Sequence, residues 1–305
     1  MSETSSSSAW PDIPFAEWAA TCDTLHLWTQ VVGKVRLALT PLINHWWNVT
    51  LYVTSRGLVT SPMPCGARTV DIAFDFIEHR LTIARSEGRN ASLALAPMSV
   101  AEFYSEVMAR LHRLGVDVHI WTMPGEIENA VPFDRDRTHA QYDRDAVERF
   151  HGALVQADRV LKTFRAGFIG KASPVHFFWG SFDLAVTRFS GRRAPVREGV
   201  DPVTREAYSH EVISHGFWPG GVSAGGVRVE RPVYYAYAAP EPPGMPDRAI
   251  RPAIAGYDRA LSEFIVGYDE IRSAPSPRAP LLEFMQTTYD AAATLAGWDR
   301  AALER

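Results

Sequence analysis

Residues 173–191 read Ser-Pro-Val-His-Phe-Phe-Trp-Gly-Ser-Phe-Asp-Leu-Ala-Val-Thr-Arg-Phe-Ser-Gly. Aromatic and β-branched side chains suit the half-buried surface of a sheet, and a proline and a glycine punctuate the two ends. The pattern predicts one strand with an interruption at Gly180. His176 and Asp183 need partners there, because a buried polar group without a hydrogen bond costs roughly 1–3 kcal/mol. Both are therefore candidate site residues.

Composition places the chain among globular proteins. It has 305 residues, a formal charge of −4 and a pI near 6.2, which give no electrostatic reason to expect nucleic acid or a membrane as a partner. No apolar run is long enough for a transmembrane helix, and the first residues lack the basic and apolar regions of a signal peptide. Cys22 and Cys65 form neither a disulfide framework nor a zinc pattern, which favours a reducing cytoplasm.

A long helix is predicted near the start, because apolar residues recur at helical spacing from Phe15 to Leu39. Its other side carries His26, Gln30 and Lys34 at intervals of four residues, so the three polar groups form one stripe. Such a stripe is usually a solvated face. The alternative is that it lines a site, and we treat His26 and Gln30 as candidate ligand-binding residues on that ground.

The order of the remaining elements favours an α+β fold over a doubly wound one, because runs of strands are flanked by helices without strict alternation. Ser99 and Glu102 form the capping box of a second helix. The expected strands are residues 49–54, 69–76, 80–84, 92–95, 116–121, 208–218 and 232–238, and the expected further helices are 99–115, 146–164, 257–271 and 279–295. A glycine-rich loop, residues 216–226, lacks the order of a phosphate-binding loop and is predicted to be a flexible loop over a pocket.

Two weakly repeated halves are indicated, each with a long helix, an antiparallel meander and a flanking helix. His45-Trp46-Trp47 aligns with His176-Phe177-Phe178 at a period of about 130 residues, too long for a solenoid. The predicted organisation is a disordered tail (residues 1–9), a first half (10–123), a charged crossover (124–145) and a second half with the C-terminal helices (146–305).

Four blocks of sequence resemble an uncharacterised bacterial family, catalogued as a domain of unknown function. They are Thr-Leu-His-Leu-Trp-Thr-Gln (24–30), Asn-His-Trp-Trp (44–47), the stretch 173–191 and Ser-His-Glu-Val-Ile-Ser (209–214). The resemblance covers nearly the whole chain from residue 10. It implies no activity, cofactor or catalytic residue.

A second concentration of polar groups lies in the predicted strand at residues 208–218. Alternation places Tyr208 and His210 on one face and Glu211 on the other. The histidine spacing does not fit the helical zinc-protease pattern. A metal site would need ligands from different strands, for example His176, His210 and Asp183, with a bulge at the glycine interruption bringing them to one face.

Three hypotheses follow. The first is a cytoplasmic enzyme that acts on a small aromatic or amphipathic molecule in an aromatic-lined pocket between the halves, with histidine and carboxylate groups as acid and base. The second is a non-catalytic small-molecule binder or sensor, and the third is a metal-dependent variant of the first. The cofactor and the oligomeric state are left unknown. The candidate catalytic residues are His176, His210, Glu211 and Asp183, and the candidate ligand-binding residues are Trp47, Trp179, His26, Gln30, His45 and Tyr208.

Overall fold

A computed structural model describes residues 9–223 and 225–305 and confirms the α+β class. The predicted tail at residues 1–9 lies outside the described residues except for its last position. The helices are α1 (Phe15–Leu39), α2 (Val100–Arg113), α3 (Arg144–Ala166), α4 (Pro202–Ala207), α5 (Tyr268–Arg272), α6 (Arg278–Leu295) and α7 (Arg300–Leu303). None of the helices in the described ranges is both long and apolar enough to cross a membrane.

The strands form two larger antiparallel sheets and one small hairpin. The first sheet comprises β1 (Tyr52–Val53), β2 (Gly57–Val59), β3 (Met63–Cys65), β4 (Arg68–Asp75), β5 (Arg80–Arg85) and β6 (Asn90–Ala94). The second comprises β7 (His176–Phe178), β8 (Asp183–Arg193), β9 (His210–Trp218), β12 (Val233–Ala239), β13 (Gly256–Asp258) and β14 (Glu263–Gly267). Strands β10 (Gly221–Val222) and β11 (Arg228–Val229) pair only with each other.

The two sheets meet edge to edge. Leu51, just before β1, and Phe177 in β7 exchange both backbone hydrogen bonds, with N···O distances of 2.9 and 2.8 Å. One apolar core runs beneath both sheets and includes both residues. The two sheets therefore share a core and a boundary.

Helix α1 lies inside the protein. Residues on every side of it are buried from Thr24 to Arg36, and it packs against α2, α3 and β3. The polar stripe is not solvated: His26 Nε2 donates to Gly180 O over 2.8 Å, Gln30 bonds the backbone of residue 125, and Lys34 donates to Met123 O. The expectation of a solvated face is therefore wrong, because the three polar groups donate to backbone carbonyls inside the fold.

The second sheet has one face covered by helices. Leu184, Val186 and Arg188 of β8 point toward α3, and His215 of β9 donates to or accepts from Thr288 of α6 at 3.0 Å. Alternation places Asp183 on the opposite face. That opposite face carries the candidate site.

The stretch 173–191 is a hairpin and not one interrupted strand. Strands β7 and β8 pair with each other, with Phe178 opposite Asp183 and His176 opposite Ala185. Phe182 adopts φ of 60°, a left-handed conformation that reverses the chain before β8. The reversal places His176 and Asp183 on the same face of the sheet.

Two further expectations are wrong. Residues 116–121 form no strand, although Val116 and Ile120 are buried. The predicted helix at 257–271 is the hairpin of β13 and β14 followed by α5. The Asp258 carboxylate fixes its turn, because it accepts hydrogen bonds from the backbone N–H groups of Ala260 and Leu261. This turn overrides the helical spacing of the apolar residues.

The structure does not confirm the repeat of two halves. His45 and Trp46 lie in a 3₁₀ turn with φ of 59° and 60°, whereas His176–Phe178 is a regular strand. The sheets also differ in strand order, because β14 is inserted between β12 and β13 in the second sheet, and β3 lies off the main path of the first.

Candidate functional site

A cavity of about 350 Å³ lies on the face of the second sheet opposite the one that α3 and α6 cover. Three carboxyl side chains line it, each from a different part of the chain: Glu126 from the crossover, Asp183 from β8 and Glu263 from β14. The remaining lining includes the tyrosines 208, 235 and 237 and the apolar side chains of residues 218, 222, 233 and 261. The site thus combines acidic groups with aromatic and apolar walls.

Asp183 is the most deeply buried of the three, with 7% of its surface exposed. Ser181 Oγ donates to Asp183 Oδ1 over 2.5 Å, and the Tyr235 hydroxyl donates to Oδ2. Burial raises the pKa of the Asp183 carboxyl, and these two hydroxyls only partly oppose that effect. Both partners are neutral, so the charge of this carboxylate has no counter-ion in the described part of the chain.

Glu126 reaches the cavity because the crossover is held on α1. Gln30 accepts from Gly125 N over 2.8 Å and donates to Gly125 O over 3.0 Å, which fixes the backbone beside Glu126. The carboxyl of Glu126 then lies against Gly180. Glu126 as a whole residue is exposed, and it lines the cavity. Even so, desolvation by the surrounding protein, together with the charges of Asp183 and Asp201, raises the pKa of Glu126 to about 7.

Glu263 is the third carboxyl and is more enclosed. It begins β14, pairs with Asp258 of β13 in the ladder and lies partly buried. Burial raises its pKa to about 8, and the carboxylates of Asp183 and Asp258 add to the effect. Glu126 and Glu263 are therefore two acidic groups in one cavity that titrate near neutral pH.

The tyrosine wall depends on one glycine. Gly216 of β9 is opposite Tyr235 of β12, and a Cβ at Gly216 would lie 2.3 Å from the Tyr235 ring. The ring therefore lies flat on the neighbouring strand, which points its hydroxyl at Asp183. Tyr208 and Tyr237 bond each other through their hydroxyls over 3.1 Å.

The glycine-rich loop lines one side of the cavity. The sequence predicted a loop over a pocket at this position. It folds into the β10–β11 hairpin, and Val222, Ser223, Gly225 and Val227 line the cavity. Gly220 adopts φ of 98°, a conformation that side chains other than glycine rarely accept, where the chain leaves β9 for this hairpin.

Predicted residues outside the cavity form a second cluster on the same sheet face. Lys171 Nζ donates to His45 Nε2 over 2.9 Å, and the rings of His45 and His210 lie 5.6 Å apart. His45 Nδ1 donates to the backbone oxygen of Glu206 over 3.2 Å. Burial and then the charge of Lys171 lower the pKa of both histidines. Trp47 packs on His45 at 5.3 Å and joins this cluster to His176.

His176 is fully buried among Trp47, Tyr52 and Phe178, with ring-centre distances of 5.6–5.8 Å. Neither of its nitrogens has a hydrogen-bond partner in the described part of the chain. Burial, with the charges of Arg36 and Arg165, lowers its pKa to about 3. The imidazole is neutral at physiological pH and does not line the cavity, so these positions do not support its predicted acid–base role.

Two other predicted residues have structural partners instead. Glu211 forms an ion pair with Arg192 at 2.7 Å and accepts from Ser190 Oγ over 2.8 Å. The indole of Trp179 donates to Val49 O over 2.7 Å and packs directly over Gly33. Neither lines the cavity. Of the predicted residues, Asp183, His26 and Tyr208 do.

The neutral imidazole of His26 forms part of the cavity wall. Its ring stacks on Phe182 with centres 5.0 Å apart, and burial lowers its pKa to about 4 despite the bond to Gly180 O. It therefore supports the turn that carries Ser181 and Asp183.

The two-histidine, one-carboxylate metal site is not assembled. His176 and His210 lie on the side of Trp47 and His45, while Asp183 bonds Tyr235 in the cavity. Among the described residues, no group of three or more His, Cys, Asp or Glu side chains is placed to hold a metal ion.

We expect Gly180→Ala to displace Glu126. A Cβ at Gly180 would lie 2.2 Å from Glu126 Oε1, so the carboxyl must move away from Asp183 and toward solvent. The pKa of Glu126 should then fall by about one unit or more toward the ordinary glutamate value, which a ¹³C NMR titration of the side-chain carboxyl measures. Gly125→Ala is the matched control, since a Cβ there meets nothing within 4 Å. An unchanged titration of Glu126 in Gly180→Ala would contradict the contact.

Comparison with known proteins agrees with the sequence blocks. A model of a family of unknown function, DUF5996, matches residues 10–305. The chain belongs to this family, which confirms the resemblance seen in the sequence. No curated protein and no solved structure matches the chain.

Proposed function

We propose that the protein is a cytoplasmic enzyme that acts on a small aromatic or amphipathic molecule in this cavity by acid–base chemistry. The observation that carries the proposal is that Glu126 and Glu263 line one cavity together with Asp183. The pKa values of these two glutamates are raised to about 7 and about 8. A general acid or base is most effective when its pKa lies near the working pH. Carboxyl groups with such values are uncommon outside functional sites.

The two groups differ in environment, which suggests different roles. Glu126 is exposed, so it is the better candidate for the base. Glu263 is more enclosed, so it is the better candidate for the acid. Burial and then the Asp183 charge raise both pKa values, and Asp183 accepts a hydrogen bond from Tyr235 in the wall.

The apolar walls favour a substrate with an aromatic or amphipathic body. Trp218, Val222, Val233 and Leu261 line the cavity together with the tyrosine rings. The cavity volume of about 350 Å³ is within the lower range of small-molecule sites. The free cysteines Cys22 and Cys65 are consistent with a reducing cytoplasm.

Turnover in a metabolite mixture tests the proposal. The purified protein is incubated with a cell extract from which proteins have been removed, and mass spectrometry follows which small molecules are consumed and formed. We expect at least one such conversion, slowed by about 10²-fold or more in Glu126→Gln and in Glu263→Gln, the usual range for loss of a general acid or base. Glu128→Gln, at an exposed neighbour outside the cavity, is the control and should keep the activity.

A conversion that survives both substitutions would contradict these roles. Retention of a small molecule without any conversion would instead favour a non-catalytic binder.

A further inference from the structure

We infer that the cavity takes an organic ammonium ion, an amine with an apolar or aromatic body, whose cationic nitrogen lies among Glu126, Asp183 and Glu263. The inference rests on the proposed function, since it names the substrate class of the same site.

The first support is an excess of negative charge without a cation. Burial and then the Asp183 charge raise the pKa of Glu126 and of Glu263, and Asp201 and Asp258 add further negative charge from outside the cavity. None of the described residues that line the cavity is a lysine or an arginine. The guanidinium of Arg197, which is not a lining residue, stacks over the ring of the lining residue Tyr208 at 4.1 Å.

The second support is independent of charge and comes from the hydrogen-bonding inventory. The hydroxyls of Ser181 and Tyr235 donate to Asp183, and Tyr208 and Tyr237 bond each other. The Nε2–H of His26 donates to Gly180 O. The donors of Ser181, Tyr235 and His26 are used within the protein, whereas the carboxyl oxygens of Glu126 and Glu263 accept no hydrogen bond from the described residues. An ammonium group offers three donors and no acceptor, which complements such a wall.

The third support excludes a bare metal ion on geometric grounds. The carboxyl groups surround the cavity from three elements, and among the described residues no such set is close enough to share one metal ion. Carboxylates spread around a cavity of about 350 Å³ suit a larger cation. Tyrosine and tryptophan rings attract ammonium groups through their electron-rich faces, and Tyr235, Tyr237 and Trp218 line the cavity.

Binding should release protons. Below pH 7 the carboxyls of Glu126 and Glu263 are largely protonated, and an entering ammonium ion favours their ionised forms. Affinity should therefore rise with pH through about 7 to 8, the range of these two groups. His26 is neutral throughout this range, and the cavity tyrosines are raised in pKa by burial, so neither opposes the trend.

Three probes of similar shape provide the test: 2-phenylethylamine, 2-phenylethanol and phenylacetate, measured by isothermal titration calorimetry on the full chain. We expect the amine to bind at least about tenfold more tightly than the alcohol at pH 8, and the anion more weakly than either. Titrations in buffers of different ionisation enthalpy should show proton release on amine binding at pH 6.5. Ethylamine and tryptamine extend the amine series in size.

Substitutions separate the charge effect from the shape of the cavity. Glu263→Gln should weaken the amine by about tenfold and leave the alcohol unchanged, because the amide keeps the volume and removes the charge. Glu128→Gln should change neither. Equal affinities for amine and alcohol, tighter binding of the anion, or no binding of any amine up to about 10 mM would overturn the inference.

These results are distinct from a failure of the proposed function. Turnover of a neutral metabolite that depends on Glu126 would sustain the enzyme and overturn the ammonium ligand. Amine binding that depends on Glu263, without any turnover, would sustain the ligand class and contradict the enzyme.

Discussion

Replacing Glu263 with glutamine is expected to stabilise the folded protein at pH 9 by about 2–4 kcal/mol, with little effect below pH 5. Burial, aided by Asp183 and Asp258, raises the folded-state pKa of Glu263 to about 8 from an ordinary value of 4.5. The folded state therefore binds more protons than the unfolded state between these two values. Stability that depends on this proton is fully present below about 4.5, falls as the pH rises, and is lost above about 8.

Urea unfolding at pH 5, 7 and 9 measures the effect. The difference between Glu263→Gln and the parent protein should grow from pH 5 to pH 8 and then level off, since glutamine does not titrate. Glu128→Gln, at an exposed position, should follow the parent protein at every pH. A Glu263→Gln protein that is less stable than the parent at pH 9 would show that the carboxylate has a compensating partner.

A stabilising substitution that removes ligand affinity would identify Glu263 as a residue kept for the site rather than for the fold. Natural proteins commonly keep destabilising groups where function requires them. This outcome links the pH dependence of unfolding to the pH dependence of amine binding through one carboxyl group.

The sequence predicted the individual helices and strands better than the contacts between them. The alternation predicted for residues 208–218 is present, since Val212 lies in one apolar cluster of the second sheet and Ile213 and Phe217 lie in another. The capping box of Ser99 and Glu102 is present in both directions. Both signals are local, because each depends on residues within a few positions of one another.

The hairpin turn within 173–191 was missed because the aromatic run continues through it. Phe182 is an unusual residue for a positive φ. Its buried ring packs on His26 and Phe150, which are distant in the sequence, and these contacts stabilise the conformation. The glycine and serine at 180 and 181 were the available turn signal. Reading them as a turn would have predicted the pairing of Phe178 with Asp183.

The cavity itself was only partly predictable. Asp183, His26 and Tyr208 were selected from the sequence, whereas Glu126 and Glu263 were not. Glu126 lies in a segment interpreted as an exposed crossover, and Glu263 in a segment interpreted as a helix. Their perturbed pKa values arise first from burial in the fold and then from the charge of Asp183, and no local sequence pattern contains either.

The buried polar stripe of α1 shows the same limit. His26, Gln30 and Lys34 have the spacing of a solvated face, and only the fold places the backbone of residues 123–125 and 180 against them. The stripe is what joins α1 to the crossover and to the hairpin turn. It therefore positions two of the three cavity carboxyls.

The interior position of α1 predicts that loss of Trp28, one of the largest fully buried side chains, strongly destabilises the fold. Its indole is fully buried and lies between Phe103 of α2, at 4.6 Å and 8° between planes, and Tyr142 of the crossover, at 5.4 Å and 21°. Trp28→Ala should lower the free energy of unfolding by about 3–5 kcal/mol, the usual cost of removing a buried tryptophan. Stacked aromatic pairs add to the loss.

The same substitution at Trp121 is the matched control, because that residue is 72% exposed. The Lys34 ammonium group lies over its ring, 4.8 Å from the ring centre. We expect a change within about 1 kcal/mol there. Urea unfolding of both variants at one pH gives the comparison.

Because Tyr142 also bonds His79 at 3.0 Å, Trp28→Ala should loosen the crossover and with it the Glu126 position. Amine affinity should therefore fall in Trp28→Ala even under conditions where the variant is folded, whereas similar losses of stability at both tryptophans would contradict the central role of α1.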